Sequence, residues 1–211
     1  YQKGYITTQT LYGAYTSGLF TNTKDPKSYM SIGSSAGATY QRPAAGADGS
    51  YPFEVGIATI PQADASNPKV ISQGPSLVIL NSENRQEVIA SYLFVEFLTT
   101  NIEFQAEFSM VSGYMPVLES VMDNPVYKAE FLDKADGGDN VAALSVKVGL
   151  HQKDAYFALP AFTGASTARE EVGSLMQNVL IRYGSAADKE ALINQAFADA
   201  VAYCEQKYPS N

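Results

Sequence analysis

The 211-residue sequence has no tryptophan, one cysteine and one histidine, and each of these scarcities removes a class of protein or site. Because Cys204 has no second cysteine to pair with, an internal disulfide and a cysteine-based metal site are both excluded. The carboxylates are scattered without zinc or EF-hand spacing, so we expect no metal site and no cofactor. No apolar run approaches the roughly 18 residues that a membrane-spanning helix needs.

Positive charge is also scarce, since 14 Lys and Arg face 22 Asp and Glu and the formal net charge is -8. This balance argues against nucleic acid and against anionic membranes as partners. What is abundant is aromatic side chains, with 14 tyrosines and 10 phenylalanines that can fill a core or stack on a ligand. The length is sufficient for one large domain or two small ones with a full apolar core.

The stretch 76–100 is the most strongly patterned part of the chain. Its first part, LVIL at residues 77–80, is dense in branched apolar side chains and predicts a buried strand. Asn81 and Ser82 are good N-caps for the apolar helix that follows, which we expect to be packed on most sides. Together they form half of a βαβ unit, and Gly74 just before the strand allows a ligand to approach the backbone closely.

The rest of the chain alternates shorter strands with helices. Patterns of apolar residues predict strands over 28–32 and 53–60. Apolar spacing and cap residues predict helices over 8–19, 102–110, 125–134, 140–150, 167–183 and 186–207. A C-cap signal at Ser112-Gly113 ends the second of these helices, and an extended connector follows over 114–117. The capping-box pattern at residues 167–170 opens the fifth helix.

The motif GSSAG at residues 33–37 matches the G-x-S-x-G pattern of a serine hydrolase nucleophile elbow. Three aspartates, Asp123, Asp133 and Asp136, and then His151 follow in the chain order of such a triad. Against this interpretation, few strands precede the motif, helices are predicted where strands are needed, and no segment supplies an oxyanion hole. His151 itself is expected at the surface, at the end of a helix.

Several motifs in chain order resemble one family. YMSIGSS at 29–35 resembles a strand and loop of that family, and QGPSLVI at 73–79 resembles its strand that crosses between two lobes. Residues 90–100 resemble a helix ending in an "fLts" motif, and SGYMPV at 112–117 resembles a "tGylPv" motif, the most specific of the set. PAFTGAS at 160–166 resembles the last ligand-lining segment. The family is the extracellular solute-binding proteins of ABC importers, of the carbohydrate-binding type, with similarity to the maltose-binding and glycerol-3-phosphate-binding proteins.

The resemblance implies a fold and a domain organisation. The expected fold class is α/β, a helix-rich lobe of the type II periplasmic-binding-protein kind, from the C-terminal half of a two-lobed protein. Residues 1–69 and 112–211 would belong to the second lobe and residues 70–111 to the first, whose remainder would lie outside this sequence. A leader or lipid anchor would then precede Tyr1. Without the first lobe, the fragment is expected to self-associate through 70–111 or to fold that segment onto its own lobe.

The resemblance also implies a function, which is binding an extracellular sugar or oligosaccharide and delivering it to the permease subunits of an ABC importer. The protein would be extracellular or periplasmic and not an enzyme. The expected ligand-binding residues lie in loops: Ser34, Ser35, Gly74, Tyr114, Phe162, Thr163, Ser166 and Arg169. Arg169 in the first turn of a helix leaves a sugar phosphate open as the solute. A serine hydrolase that uses residues 33–37 and a plain interaction domain are the alternatives.

Overall fold

The computed structural model describes residues 1–209, and the chain divides into two compact units. The larger unit is continuous and runs from Ser17 to Ala158. The smaller unit combines the N-terminal segment Tyr1–Thr16 with the chain from Leu159 onwards. Among residues 1–209, no helix combines the length and apolarity needed to cross a membrane.

Helices dominate both units. The α-helices are α1 Gln9–Tyr12, α2 Ser17–Thr21, α3 Arg85–Thr100, α4 Ile102–Ser112, α5 Pro125–Glu130, α6 Val141–His151, α7 Ala165–Arg182 and α8 Lys189–Lys207. Short 3₁₀ helices occur at Ser35–Gln41, Glu119–Asp123, Leu132–Lys134 and Lys153–Ala155. Two strands, β1 Val70–Ile71 and β2 Tyr156–Phe157, pair in parallel, with Val70 opposite Tyr156 and Ile71 opposite Phe157.

The predicted α/β sheet is reduced to this single pair within the described residues. The segments 28–32, 53–60 and 77–80 have no regular secondary structure, and none of them joins a ladder among residues 1–209. The prediction of a buried strand at 77–80 was wrong, since Val78 is 77% exposed and Leu80 is 81% exposed. An apolar run becomes a buried strand only where neighbouring backbones pair with it, and no strand of residues 1–209 pairs with this run.

Most helix positions agree with the sequence pattern, and the ends differ for local reasons. Asn84, rather than Asn81 or Ser82, caps α3, because its side chain accepts a hydrogen bond from the Gln86 amide at 3.0 Å. The predicted helix over 8–19 is interrupted after α1 by Gly13, whose φ of +80° is left-handed and ends the helix. The C-cap predicted at Gly113 is confirmed, with φ +73°.

The capping box predicted at residues 167–170 is not formed. Helix α7 begins at Ala165 and its N-cap is Gly164, so Thr167 lies inside the first turn. The Thr167 side chain is buried, and its hydroxyl lies 3.4 Å from the Tyr208 hydroxyl at the end of α8. Tyr208 packs so closely on Gly164 that a Cβ at that glycine would lie 2.8 Å from the ring. The Thr167 hydroxyl, which the local pattern predicted as a helix cap, therefore makes a long-range contact with Tyr208 at the end of α8 instead.

The apolar core lies in the larger unit, where α4, α5 and α6 meet. Its fully or nearly buried members are Ala106, Val121, Tyr127, Phe131, Ala142, Ala143 and Val146. The loop around Gly137 closes one side of the unit, since its carbonyl accepts from the Val55 amide at 2.9 Å. Arg42 fastens the same loop by donating to the carbonyls of Gly138 and Asp139, both at 2.9 Å.

Candidate functional site

A large cavity of about 2490 Å³ lies within the larger unit. Its wall is formed by the loop 27–35, the extended run 52–61, the segment 69–77 and the connector 114–119, together with faces of α3, α4 and α6. Small-molecule sites usually measure about 300 to 1000 Å³. Because this space is larger than a single sugar needs, selectivity must come from the chemistry of the wall rather than from the volume.

A continuous series of aromatic rings runs along α3 and α4 into this wall. The rings of Phe97 and Phe104 are 5.6 Å apart, those of Phe104 and Phe108 are 5.9 Å apart, and Phe108 and Tyr114 are 6.3 Å apart. The last two pairs are near parallel, at 20° and 29°. Phe104, Phe108 and Tyr114 all line the cavity. We call these three residues the aromatic ladder.

Tyr114 is held by the turn that ends α4. The Gly113 amide donates to the Ser109 carbonyl at 2.9 Å, which closes the helix. The Tyr114 amide donates to Ser112 Oγ at 3.2 Å and its carbonyl accepts from Ser109 Oγ at 2.6 Å. The ring is 39% exposed and faces its neighbour Phe108. A fixed turn rather than a free loop therefore presents the aromatic face.

Ser34 and Ser35 line the same cavity and remain exposed. Ser34 precedes the 3₁₀ helix Ser35–Gln41 in extended conformation, and its carbonyl accepts from the Gly37 amide at 2.9 Å. Ser145 on α6 donates to the Ser35 carbonyl at 3.3 Å, which ties the loop to that helix. Neither hydroxyl of the loop takes part in a hydrogen bond within residues 1–209, so both can meet a polar ligand there.

Gly74 also lines the cavity, in the irregular segment that follows β1. Nothing within residues 1–209 lies within 4 Å of where its Cβ would be, and its φ is not in the left-handed region. The glycine therefore leaves open space at the wall and does not serve a strained backbone.

Two polar atoms near the serine loop are buried and have no hydrogen-bond partner within the described residues: Ser31 Oγ and Gln41 Oε1. The Gln41 amide lies against Gly33, at 3.3 Å from the position of a Cβ there, two residues from Ser31. Both residues line the cavity. Leaving such atoms unpaired costs on the order of 1 to 3 kcal/mol each.

The geometry does not support the nucleophile elbow. Ser35 begins a 3₁₀ helix, and no residue other than glycine has positive φ in residues 1–209, so the strained turn of an elbow is missing. Within the same residues Ser35 Oγ has no histidine partner. His151 is exposed at the end of α6, as expected.

The other four predicted ligand residues lie in the smaller unit. Phe162, Thr163, Ser166 and Arg169 surround the start of α7, and all four are exposed. Arg169 makes no ion pair among residues 1–209. The structure thus gathers Ser34, Ser35, Gly74 and Tyr114 around one cavity and assigns the remaining four to the other unit.

Sequence reasoning missed two members of the aromatic ladder and the polar atoms beside the serine loop. Phe104 and Phe108 are four residues apart on a helix, the spacing of side chains on one face, and that spacing also fits a core. The spacing alone does not distinguish a ligand-binding wall from a buried core. The distinguishing feature is the adjoining turn at Gly113, which places Tyr114 on the same face. No local sequence signal marks Gln41, which reaches the wall from the end of a 3₁₀ helix.

The comparisons with known proteins assign most of the larger unit to a family. A family model described as bacterial extracellular solute-binding protein matches residues 2–135. The match contains Ser34, Ser35, Gly74 and the aromatic ladder, and it ends before α7. Neither the comparison with curated proteins nor the comparison with solved structures gives a match.

Proposed function

This chain belongs to the bacterial extracellular solute-binding proteins, and from that premise we propose that its solute is a neutral sugar or oligosaccharide bound in the cavity of the larger unit. The family accounts for the coarse function, which is solute binding outside the cytoplasm for import by an ABC transporter. The nature of the solute is our proposal.

The aromatic ladder is the observation that carries the proposal. Its rings are near parallel and reach the cavity at Tyr114. A sugar ring presents a flat face of C–H groups, which packs on an aromatic face, while its hydroxyls stay at the edge for hydrogen bonds. The stacked aromatic rings of the wall suit the C–H face of such a ligand, and the neutral polar loop at Ser34 and Ser35 suits its hydroxyls.

The charged side chains on the wall nearly balance, with the three lysines Lys27, Lys69 and Lys153 beside the two glutamates Glu54 and Glu119, so the wall offers little excess positive charge to a sugar phosphate. Glu119 and Lys153 neutralise each other as an ion pair at 3.6 Å. Lys27 Nζ lies 5.0 Å from the centre of the Tyr29 ring, so one further cation on the wall is engaged with an aromatic face.

The finer predictions on ligand and partners are part of the same proposal. Phe162, Thr163, Ser166 and Arg169, at the start of α7 in the smaller unit, are likewise proposed as ligand-binding residues on the strength of the resemblance to the family. The permease subunits of an ABC importer are the proposed protein partners, and a lipid anchor ahead of Tyr1 is the proposed attachment. The division into residues 1–69 and 112–211 as one lobe and 70–111 as part of another, within the C-terminal half of a type II protein, is likewise proposed.

The exposed apolar side chains of α3 support a further proposal, self-association of this chain. Five of them are large and about half exposed or more, from Ile89 to Phe97, and Leu77, Val78 and Leu80 before the helix are exposed as well. A patch of this kind is an association site in most soluble proteins. We propose a second copy of the chain as the occupant.

A thermal-shift panel of maltose, maltotriose and glycerol 3-phosphate tests the solute class. A solute at about 100 times its dissociation constant stabilises by about 2.7 kcal/mol, so a bound sugar gives a measurable rise in Tm. We expect a rise with maltose or maltotriose, and none with glycerol 3-phosphate. A rise with glycerol 3-phosphate alone would replace the neutral sugar by a phosphorylated polyol.

Variants of two tyrosines with similar exposure connect the shift to the cavity. Tyr114→Ala should abolish most of the sugar-dependent shift because it removes the end of the aromatic ladder. Tyr183→Ala, at the end of α7 with a ring that is 44% exposed, should leave it intact. Equal losses in both variants would remove Tyr114 from the site.

A further inference from the structure

The connector 114–117 belongs to no helix or strand of residues 1–209, and yet it forms part of the wall of the cavity. Two side chains on one face of α4 hold it. Gln105 and Ser109 lie one helical turn apart and are both buried, at 8% and 1% exposure. Buried polar groups of this kind are retained where they make hydrogen bonds, and each of these two makes them to the connector.

Gln105 bridges two elements with its single amide group. Its Oε1 accepts from the Val117 amide at 3.1 Å, and its Nε2 donates to the carbonyl of Leu98 near the end of α3. Val117 and Leu98 both line the cavity. One side chain thus fixes the far end of the connector relative to the helix that carries the first ring of the aromatic series.

Ser109 fixes the near end, and the direction of its hydrogen bonds follows from the atoms present. Its Oγ lies 2.6 Å from the Tyr114 carbonyl and 2.7 Å from the Tyr127 hydroxyl. A carbonyl can only accept, so Ser109 spends its one proton on Tyr114. Tyr127, which is fully buried in the core, must then donate to Ser109. The two hydrogen bonds therefore run in one direction, from Tyr127 in the core through Ser109 to the Tyr114 carbonyl at the cavity wall.

We propose that Gln105, Ser109 and Tyr127 are positioning residues that fix the connector 114–117 and set the orientation in which Tyr114 meets the solute. The role of these residues in orienting the solute rests on the proposed function. Their role in fixing the connector depends only on the geometry of the free protein. Sites that bind with defined orientation depend on such supporting hydrogen bonds behind the residues that touch the ligand.

Amide hydrogen exchange of the connector in the free protein tests the geometry without any ligand. In Gln105→Ala the Val117 amide loses its acceptor and should exchange at least tenfold faster. In Ser109→Ala the amides of Tyr114, Met115 and Val117 should exchange several-fold faster, since Pro116 carries no amide hydrogen. Tyr127→Phe, which leaves the Ser109 bond to Tyr114 in place, should change them less. Unchanged exchange in Gln105→Ala and Ser109→Ala overturns the proposal.

Val146→Ala is the control for general destabilisation, since Val146 is fully buried in the same core and makes no hydrogen bond to the connector through its side chain. It should lower Tm and leave connector exchange near the wild-type pattern. If Val146→Ala loosens the connector as much as Ser109→Ala does at equal loss of Tm, the effect is one of stability and the proposal fails.

Titrations with maltotriose test whether the connector affects the affinity for the solute. Ser109→Ala should bind about five- to tenfold more weakly than wild type, the loss expected for one hydrogen bond, and Val146→Ala should bind as wild type does. Wild-type affinity in Ser109→Ala would show that connector order does not orient the ligand, and would overturn that step. Absence of binding by the wild-type protein would instead contradict the proposed function, and the exchange data would still decide the positioning of the connector.

Discussion

Helices α3 and α6 are both apolar, but they differ in how many of their residues are buried. Helix α6 is 11 residues long and buries six of them, among them Val146. Helix α3 is 16 residues long and buries none. Apolar composition therefore gives a helix the capacity for burial, but burial itself requires a partner surface. Helix α6 packs against α4 and against the 3₁₀ helices Ser35–Gln41 and Leu132–Lys134, whereas α3 packs within the described residues mainly against α4 and borders the cavity.

The largest expected effect separates a buried from an exposed phenylalanine. Phe131, at 4% exposure, packs on Tyr127 with ring centres 5.2 Å apart. Phe131→Ala should lower the free energy of unfolding by about 3 to 5 kcal/mol, since it deletes a core ring and leaves a cavity. Phe94→Ala on α3, where the ring is 62% exposed, should change it by less than about 0.5 kcal/mol. Chemical denaturation measures both, and comparable losses would mean that α3 is as well packed as the core.

A pair of glycines gives the next largest contrast. A Cβ at Gly137 would lie 2.5 Å from the Val55 carbonyl oxygen, so Gly137→Ala must displace backbone and should destabilise by about 1 to 3 kcal/mol. Gly173 lies within α7 with nothing inside 4 Å of its Cβ position. Gly173→Ala should stabilise by up to about 1 kcal/mol through helix propensity. A neutral result at Gly137 would show that the loop is not held against Val55.

These contrasts explain which parts of the fold could be predicted. Local signals were sufficient for the helices that carry the core and for the turn at Gly113, because cap residues and left-handed glycine act within a few residues. The buried strand predicted over 77–80 and the capping box predicted at Thr167 both failed, because pairing and the Tyr208 contact depend on distant parts of the chain. Gln105 and Ser109 looked like ordinary polar positions of a helix, and only the folded chain brings the connector onto them.

Alkaline pH should lower the stability of the fold through two phenols, the buried Tyr127 of the core and the half-buried Tyr156 of β2. Burial raises the pKa of Tyr127 and of Tyr156 above the ordinary value. Because the unfolded chain ionises first, at a pKa of about 10, the stability contributed by these neutral phenols is complete below that pH and is lost as pH rises toward the folded pKa. Denaturation at pH 9 and pH 11 should show a smaller decline for Tyr127→Phe than for wild type. An equal decline in both proteins would contradict a buried, titrating phenol at this position.

The smallest change in stability is expected where α3 is most exposed. Ile89→Gln combined with Leu93→Gln replaces two side chains that are about half exposed, so the free energy of unfolding should stay within about 0.5 kcal/mol of wild type. The same variant should shift sedimentation toward the monomer at concentrations where the wild-type chain associates, because it removes apolar area from the proposed contact between copies. A wild-type chain that sediments as a monomer at all concentrations would contradict self-association. A large loss of stability in the variant would instead place these side chains in the core, and the contrast between α3 and α6 would no longer hold.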